Sequence, residues 1–448
     1  MNDKSVIIIG AGMAGLAAAH ELKKAGWAAT VLEARSRVGG RVHTVREFSN
    51  GLHAEGGGEY INESQHRMIS LAKEFDLQLG RVGTWQNQSG DWAVLEGRAG
   101  RLGDASLWGV NLEKENRRVW VALAELGKQV SDPSNPITAP NAKELDRQDA
   151  GSWIQNLKVH PLAKVLFENH IRSEYTCEPG DFSLLDLARN ASLYYSDLDA
   201  EDPAYRIIGG NDQLPQAIAK RLPDVRLNAV VTSIKIKAEE VLVTYKHIDS
   251  YYTVCAPYAI LATPLTTARM IDFEGTLPSA HQAMVHGLSY GSVTKVMIEY
   301  RKRFWLDHGW NGRLNTDLPI VFTWDATSHL EGEHGILTAY TGGDPGAQLT
   351  RLSDAERIQT AVSAIERNFP GSSDLIEKAQ TIAWGNEAFT LGSYMAYAPN
   401  EMTAHWQTLF FPAGRLYFAG EHATIYQGFM EGAVESGHRA AKHIIDKG

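Results

Sequence analysis

The chain has 448 residues, 44% of them hydrophobic, and is long enough for two domains with their own cores. Its formal net charge of −10 argues against nucleic acid and anionic membranes as partners, because both repel an acidic surface. The two cysteines, Cys177 and Cys255, are too few and too isolated for a disulfide framework or a zinc site, so we expect no metal.

The first predicted elements are a strand, a glycine turn and a helix. A β-branched apolar run over residues 6–9 predicts a buried parallel strand. Gly10, Gly12 and Gly15 follow with the spacing G-x-G-x-x-G, before an Ala/Leu-rich helix. In such a turn the first glycine permits a tight bend, the second lets the backbone approach a pyrophosphate, and the third lets the helix pack on the strand. The helix N-terminus would attract the phosphates.

A second strand, residues 29–32, ends at Glu33, where an acid is expected to bind a ribose hydroxyl. The strand, turn, helix, strand and acid together predict a dinucleotide site, which a lone glycine turn would not. The chain continues as E-A-R-S-R-V-G-G-R over residues 33–41, with a second glycine turn among arginines. A nicotinamide cofactor does not need this second glycine turn. A cofactor that extends further across the domain, with its second phosphate and a flavin to be bound, does need it.

Residues 56–58 are three consecutive glycines, which are costly in regular structure, so we expect something to approach this backbone closely. Asn62 with Gln65 three residues later predicts a helix cap, followed by a helix with an apolar face through Phe75.

The pattern changes from about residue 79. Residues 85–102 predict a hairpin, and residues 111–130 and 145–190 have helical spacing. Arg172 and Glu174 lie in the second helical stretch and could line a site, although solvated or paired surface positions fit the pattern better.

Strand-and-glycine patterns return after residue 200 and indicate that the nucleotide-binding domain resumes there. The predicted elements are a helix over residues 213–222 and strands over residues 225–227, 229–234, 241–245 and 258–264.

The rest of the chain predicts further strands and helices. Residues 292–300 alternate like a half-buried strand, and Ser353 with Glu356 predicts a capped helix that reaches Phe369. Residues 416–421 predict a strand that turns at glycine, and residues 428–446 a final helix.

The E-A-x-x-x-x-G-G-R stretch resembles that of FAD-containing amine oxidases, the group that includes monoamine oxidases and L-amino acid oxidases. The resemblance extends over most of the chain and is weakest between residues 80 and 200. It implies an α/β fold with a discontinuous, Rossmann-like FAD-binding domain and an α+β substrate-binding domain. The boundaries we predict are 1–78, 200–266 and 391–448 for the first domain, and 79–199 and 267–390 for the second.

Three residues are predicted by this resemblance to act in catalysis. Lys295 corresponds to a lysine that reaches the flavin N5 through a water and is implicated in the reaction with oxygen, although a lysine at a strand edge is the simpler interpretation of the residue alone. Tyr394 and Phe429 correspond to two aromatic side chains that face each other in front of the flavin in monoamine oxidases. Two tyrosines are the commoner pair, so Phe429 is a departure.

Ser393 occupies the position at which some family members carry a cysteine that attaches FAD covalently. A serine hydroxyl cannot form that thioether, so we expect non-covalent FAD. The motif Gly420-Glu421-His422 resembles the closing flavin motif, where a second helix N-terminus stabilises negative charge on the ring. We expect a structural role for His422.

The predicted site residues fall into two groups beyond the catalytic three. The cofactor-binding residues are Gly10, Gly12, Ala14, Gly15, Glu33, Ala34, Arg35, Gly39, Gly40, Arg41, Gly57, Gly58, Glu59, Val231, Trp384, Gly420, Glu421, Gly428, Phe429, Met430 and Ala433. The substrate-pocket residues are Glu59, Tyr60, Arg172, Tyr394 and Phe429.

The resemblance implies that the chain oxidises amines: a hydride passes from the C–H next to nitrogen to the flavin, the imine hydrolyses, and oxygen becomes hydrogen peroxide. An amine without a carboxylate is favoured because Glu59 and Tyr60 stand where venom-type L-amino acid oxidases place an arginine. Arg67 or Arg172 could still supply a carboxylate clamp. An L-amino acid oxidase, a decarboxylating monooxygenase, and a flavin-bound redox sensor or binding protein without turnover stay open.

The expected partners are a small amine or amino acid and O2. The first strand starts almost at the N-terminus, leaving no room for a signal peptide, and no apolar run reaches the roughly 18 residues of a membrane helix, so we expect a cytoplasmic protein. The sequence does not name the amine, and it leaves the oligomeric state open, with a homodimer among the options.

Overall fold

A computed structural model describes residues 3–84 and 92–447 of the protein. The strands are β1 (Ser5–Ile9), β2 (Ala28–Leu32), β3 (Thr44–Val45), β4 (Ala54–Glu55), β5 (Ile61–Asn62), β6 (Leu79–Thr84), β7 (Trp92–Leu95), β8 (Arg98–Arg101), β9 (Pro203–Ile207), β10 (Val225–Arg226), β11 (Ala229–Ile236), β12 (Val241–His247), β13 (Ser250–Ala256), β14 (Tyr258–Leu261), β15 (Val293–Tyr300), β16 (Leu314–Thr316), β17 (Phe322–Asp325), β18 (Gly335–Gly342), β19 (Ile376–Ala383) and β20 (Leu416–Phe418).

The helices are α1 (Met13–Lys24), α2 (His66–Glu74), α3 (Ala105–Trp108), α4 (Leu112–Gly127), α5 (Ala142–Arg147), α6 (Ala150–Asn156), α7 (Pro161–Glu174), α8 (Leu184–Tyr194), α9 (Gln213–Arg221), α10 (Leu265–Ala268), α11 (Ser279–Gly287), α12 (Phe304–Asp307), α13 (Gly343–Thr350), α14 (Asp354–Asn368), α15 (Glu401–Phe410) and α16 (Met430–Ile445).

A five-stranded parallel sheet carries the glycine turn. Its strand order is β10-β2-β1-β14-β20, and each neighbouring pair is parallel. Helix α16 packs closely on α1, because a Cβ atom on Gly437 would lie only 2.2 Å from the carbonyl oxygen of Ala14. The predicted α/β fold is confirmed. The strands of this sheet come from all three predicted segments, while the domain boundaries stay a prediction.

The second large sheet contains the strand around Lys295. Its order is β19-β15-β18-β17-β16-β7-β8. The prediction of a half-buried strand over residues 292–300 is wrong in its burial, because all eight residues of β15 are buried. One face of β15 packs against α14 and the other against residues 45–54, so even its polar residues lie inside.

Several helical predictions need correction in detail. The predicted helical stretch 145–190 is divided among α5, α6, α7 and α8, with a 3-10 turn at Pro179–Asp181. Helix α2 begins at His66 after Gln65, and its first-turn N–H groups on Arg67 and Met68 donate to the Glu431 carboxylate at 3.2 and 2.9 Å. The predicted Asn62 cap is therefore wrong, because Asn62 lies in β5 and pairs with Ala204.

Other local predictions are confirmed. The side chain of Ser353 accepts from the Glu356 N–H, and the Glu356 carboxylate accepts from the Ser353 N–H, so the predicted cap of α14 is a capping box. Strands β7 and β8 form the predicted hairpin, although its first part, residues 85–91, lies outside the described residues. Across residues 3–84 and 92–447, no helix has the length and apolar character needed to cross a membrane.

Candidate active site

One large cavity of about 890 Å³ extends from the end of β1 to a group of aromatic residues on β17 and β18. It is lined by most of the residues predicted for the site, namely Gly10, Gly12, Ala14, Glu33, Ala34, Arg35, Gly39, Gly40, Arg41, Gly57, Gly58, Glu59, Tyr60, Val231, Lys295, Trp384, Tyr394, Gly420, Glu421, Gly428, Phe429, Met430 and Ala433. Gly15 and Arg172 are not among its lining residues.

The three glycines of the first turn have different surroundings. Gly10 has φ of +102°, a conformation that favours glycine. A Cβ atom on Gly12 would meet no protein atom within 4 Å, and Gly12 lines the cavity. A Cβ atom on Gly15 would lie 2.0 Å from the carbonyl oxygen of Gly10. Gly12 therefore leaves room for a ligand, while Gly15 lets α1 approach the strand.

Glu33 is held in place at the end of β2. Its carboxylate accepts hydrogen bonds from the backbone N–H of Ala11 at 2.7 Å and of Arg35 at 2.9 Å. Each bond goes to a different oxygen, so each oxygen keeps acceptor capacity for a further donor. The carboxylate is thus positioned beside the glycine turn with acceptors left for a ribose hydroxyl.

Glu421 connects three loops around the middle of the cavity. Its carboxylate accepts from Arg41 at 2.9 Å and from the backbone N–H groups of Met395 at 3.3 Å and Gly428 at 3.2 Å. Gly428 has φ of +77°, and a Cβ atom there would lie 3.0 Å from the Tyr394 ring. These contacts fix the backbone that leads into α16.

The predicted close approach to residues 56–58 is made by the protein itself. A Cβ atom on Gly57 would lie 1.7 Å from the carbonyl oxygen of Arg41, and one on Gly58 would lie 2.9 Å from the Met430 sulfur. Trp384 donates from its indole nitrogen to the Gly56 carbonyl at 2.9 Å. The cavity wall is therefore backbone at this point, and a flat ring could lie directly against it.

These features fit a flavin dinucleotide better than a shorter cofactor. The open space at Gly12, the free N–H groups of the first turn of α1 and the carboxylate of Glu33 suit the nucleotide end. The same cavity continues past Arg41 and the glycine backbone to the aromatic residues.

Lys295 and Glu59 form a buried ion pair in the wall of the cavity. The Lys295 ammonium donates to Glu59 at 2.8 Å and to the carbonyls of Glu55 and Gly57, each at 3.0 Å. Glu59 also accepts from Arg206 and, at 2.8 Å, from the Trp324 indole. Burial alone would raise the pKa of Glu59, but Lys295 and Arg206 outweigh it and hold that pKa below its ordinary value.

Glu59 therefore has no uncompensated charge with which to repel a substrate carboxylate. Two cations, Lys295 and Arg206, bind this one carboxylate, so its charge is compensated within the wall. Tyr60 accepts a hydrogen bond from Arg206 at 3.2 Å and lines the cavity next to it. The selection of a substrate by charge must come from another residue.

Aromatic side chains line the part of the cavity beyond Lys295. The Tyr394 and Tyr340 hydroxyls are hydrogen-bonded at 2.7 Å. Phe429 packs against Tyr194 with ring centroids 5.6 Å apart. Burial raises the pKa of Tyr394 above its ordinary value, so its phenol is neutral at physiological pH. Tyr394 and Phe429 both line the cavity, and the binding of an amine between their rings stays a prediction.

Glu174 lines the same aromatic part, although the sequence favoured a solvated or paired surface position for it. Desolvation raises its pKa from 4.5 to about 7. Within the described residues its carboxylate makes no hydrogen bond and no ion pair. No sequence signal separated it from Arg172 two residues earlier.

Arg172 points to a different partner. Its guanidinium donates to Glu178, at 2.8 Å for the closest contact, and to Asn169 at 3.1 Å. Arg67 likewise binds Glu431 at 3.0 Å. Arg172 was predicted for the substrate pocket, but it does not line the cavity. It forms an ion pair with Glu178, which is close by in sequence and compensates its charge.

The surroundings of the histidine in the closing flavin motif, and those of possible metal ligands, decide whether these groups could act in catalysis. His422 is 1% exposed, and burial lowers its pKa to about 4, so it is a neutral buried side chain. In the described part of the chain no group of three or more His, Cys, Asp or Glu residues could hold a metal ion.

Comparison with known proteins agrees with this geometry. A family model described as flavin containing amine oxidoreductase matches residues 13–445. An L-amino-acid oxidase of Bothrops moojeni is 28% identical over 466 aligned residues, covering 99% of this chain and 89% of that protein. The flavin-containing amine oxidase B of Cavia porcellus is also 28% identical, covering 100% of this chain and 87% of that protein.

Solved structures give the same result. Cyclohexylamine oxidase from Brevibacterium oxydans superimposes with a TM-score of 0.87 at 25% identity, covering 99% of each chain. A putrescine oxidase bound to putrescine has a TM-score of 0.86 at 27% identity, again over 99% of each chain. The chain belongs to the family of flavin-containing amine oxidoreductases and is an oxidoreductase with a flavin cofactor.

Proposed function

We propose that the protein is an FAD-dependent oxidase of amines that lack a carboxylate and that it binds FAD without a covalent bond. The observation that carries this proposal is the single cavity, which joins the glycine turn of α1 to an aromatic pocket beside Lys295. The nucleotide end of FAD would be held by the glycine turn, Glu33 and the N-terminus of α1. The flavin end would lie against the Gly57-Gly58 backbone and the N-terminus of α16.

The chain's own residues prepare the substrate. Tyr394 and Phe429 present ring faces that favour a nitrogen carrying positive charge and orient it toward the flavin side of the cavity. Once the bound nitrogen has released its ammonium proton to water, FAD would supply the acceptor for the hydride of the neighbouring C–H and would pass the electrons to O2, giving hydrogen peroxide, and the imine would hydrolyse to a carbonyl compound and ammonia or an amine. Lys295 supplies positive charge that favours the negative charge developing on oxygen.

The preference for amines rests on the cations of the cavity lining. In the described lining each cation already has a partner: Arg35 donates to Thr390 at 2.8 Å, Arg41 to Glu421 at 2.9 Å and Lys295 to Glu59 at 2.8 Å. A carboxylate needs a bidentate donor that is not already engaged. An amino acid would therefore have to displace an existing ion pair.

We test this preference with kcat/KM for matched pairs, such as an arylethylamine and its parent amino acid, in a peroxide-coupled assay. The amine is expected to be the better substrate, because it brings no second charge into the pocket. A preference for the amino acid beyond about tenfold, roughly 1.4 kcal/mol, overturns the proposal.

The second candidate is an L-amino acid oxidase, which the 28% identity to the Bothrops moojeni enzyme favours. The same substrate pairs decide between the two. A decarboxylating monooxygenase would release carbon dioxide and less peroxide, so carbon dioxide is measured alongside. A cytoplasmic location and a homodimer stay predictions from the sequence.

Ser393 underlies the prediction of non-covalent FAD. It lines the cavity beside Arg41, at 3.4 Å, and cannot form a thioether. Acid precipitation of the yellow protein is expected to leave the flavin in the supernatant, with FAD identified by its chromatographic retention. Yellow colour that stays with the pellet contradicts this prediction.

A further inference from the structure

We propose that Glu174 binds the cationic nitrogen of the substrate and thereby selects amines over amino acids. This proposal rests on the amine-oxidase function proposed above and names the residue that determines its specificity.

The first argument is position. Glu174 is the last residue of α7 and lines the aromatic part of the main cavity. It also borders a small void next to it, together with Tyr394, Gly428 and Phe429. Its carboxylate is therefore a neighbour of the two rings between which the reacting nitrogen is expected.

The second argument is that the other enclosed carboxylates of the cavity are engaged. Glu33 accepts from two backbone N–H groups, Glu59 binds Lys295 and Arg206, Glu421 binds Arg41, and Glu431 binds Arg67 and the Met68 N–H. Glu174 has no such partner within residues 3–84 and 92–447. Among the described residues, it is the acid of the aromatic part of the cavity whose carboxylate has no protein partner.

The third argument is electrostatic. Glu174 lies at the C-terminal end of a helix, where the dipole is negative and disfavours a further negative charge. Desolvation disfavours the carboxylate as well. An incoming ammonium relieves both effects, whereas a substrate carboxylate would add a second negative charge in a medium of low dielectric.

The titratable groups that face Glu174 are few. Five tyrosines interact with it electrostatically, and burial raises the pKa of each above its ordinary value, so they stay neutral: Tyr175, Tyr194, Tyr195, Tyr340 and Tyr394. Asp186 borders the small void and is bound by Arg189 at 2.9 Å. Glu174 is therefore the group whose ionisation should govern cation binding near neutral pH.

The test uses tert-butylamine, a cation with no C–H next to nitrogen, which can bind but cannot be oxidised. Its dissociation constant is measured by calorimetry on the flavin-containing protein between about pH 6 and pH 8.5. Binding to the parent is expected to tighten as Glu174 ionises. Glu174→Gln is expected to weaken binding by about tenfold or more and to remove the pH dependence. Neutral tert-butanol should bind alike to both proteins.

Two control variants make the result specific. Glu168→Gln removes the same charge from the same helix at a residue outside the cavity lining and should bind tert-butylamine like the parent. Glu174→Asp keeps the charge and should retain the pH dependence. Flavin content and the near-UV circular dichroism spectrum show that each variant is folded.

Turnover gives an independent readout. Glu174→Gln should lower kcat/KM for the arylethylamine about tenfold or more relative to that for its parent amino acid. Unchanged tert-butylamine binding in Glu174→Gln overturns the proposal. If the parent oxidises no amine but binding still falls in the variant, the oxidase function fails while the cation site stands.

Discussion

Lys295 shows how a charge can be kept inside the protein. It is 3% exposed, and its ammonium donates to one carboxylate and two backbone carbonyls. Trp324 and Tyr340 add ring faces 5.1 and 5.7 Å from the nitrogen. The side chain is thus fixed at the cavity wall, which is the requirement for a preorganised positive charge near reacting oxygen.

We predict that Lys295→Met slows the reoxidation of reduced flavin on the order of 10²-fold, because a fixed charge near the developing negative charge is lost. Anaerobic reduction by an amine should change far less. Stopped-flow measurement of the two half-reactions separates them.

The buried Glu59 complicates this variant, because removing one partner of a buried ion pair is destabilising by itself. A double variant that also removes Glu59 would leave Arg206 as an unpaired buried cation, so the matched control is Lys295→Arg, which keeps the charge beside Glu59. It should keep a reoxidation rate much closer to that of the parent than Lys295→Met does. A rate as low as that of Lys295→Met would assign Lys295 to structure alone.

The sequence identified Lys295 through its resemblance to a known motif, but it did not identify its partners. Glu59 is 236 residues away in the chain, and only the folded sheet brings the two together. For the same reason the sequence assigned Arg172 to the substrate pocket and indicated Glu174 only as a residue that could line a site. The orientation of α7 decides that the carboxylate faces the cavity and the guanidinium faces Glu178.

At the scale of elements, the turn between β1 and α1 needs glycine for two different reasons: space for a ligand at one position and close packing of the helix at another. Gly12 faces open cavity, whereas Gly15 faces backbone. Alanine in a helix interior normally stabilises by up to about 1 kcal/mol relative to glycine. The two positions should therefore respond differently when each is changed to alanine.

We predict that Gly12→Ala leaves the stability of the flavin-free protein unchanged but weakens flavin binding, because the new methyl group occupies space meant for the pyrophosphate. Gly15→Ala should instead destabilise the flavin-free protein, since its Cβ would clash with the Gly10 carbonyl. Thermal unfolding of the apoproteins and fluorescence titration with FAD check both effects. Equal loss of stability in the two variants would refute the distinction.

Local patterns explain why this turn was predicted and the second sheet was not. The strand, glycines, helix and acid lie within about thirty consecutive residues, so their geometry follows from local rules. The seven-stranded sheet joins β7 and β8 to strands more than 200 residues later, and β13 and β16–β19 were not predicted. The burial of β15 depends on elements on both faces, which its own alternation cannot reveal.

At the scale of the whole molecule, buried carboxyls set the pH dependence of stability. The pKa of Glu174 is raised to about 7 in the folded state, above its value of 4.5 when unperturbed. A raised carboxyl pKa favours folding while the group is protonated, and this contribution is lost as pH rises from about 4.5 through 7. Glu55 acts in the same direction, with a pKa of about 7 caused first by burial.

We predict that Glu174→Gln, measured without amine, is more stable than the parent at alkaline pH, by up to about 3 kcal/mol, and similar to it near pH 5. The neutral amide avoids the cost of the desolvated charge, while the contribution of Glu55 is common to both proteins and cancels. Melting temperatures across the pH range check this. A constant difference between the two proteins would contradict the raised pKa.

The parallel sheet is built from strands that lie far apart in the chain, and this delays its formation during synthesis. Strands β1 and β2 leave the ribosome long before β20 and α16, so the sheet and the helix that covers it cannot form until the residues between them have been made. At ordinary rates of synthesis this delay is on the order of tens of seconds, during which apolar β1 has no final neighbours. Met430 and Ala433 complete the cavity at the end. The flavin site is therefore complete only after α16 has been made, so the flavin cannot assist the folding of the strands that are synthesised first.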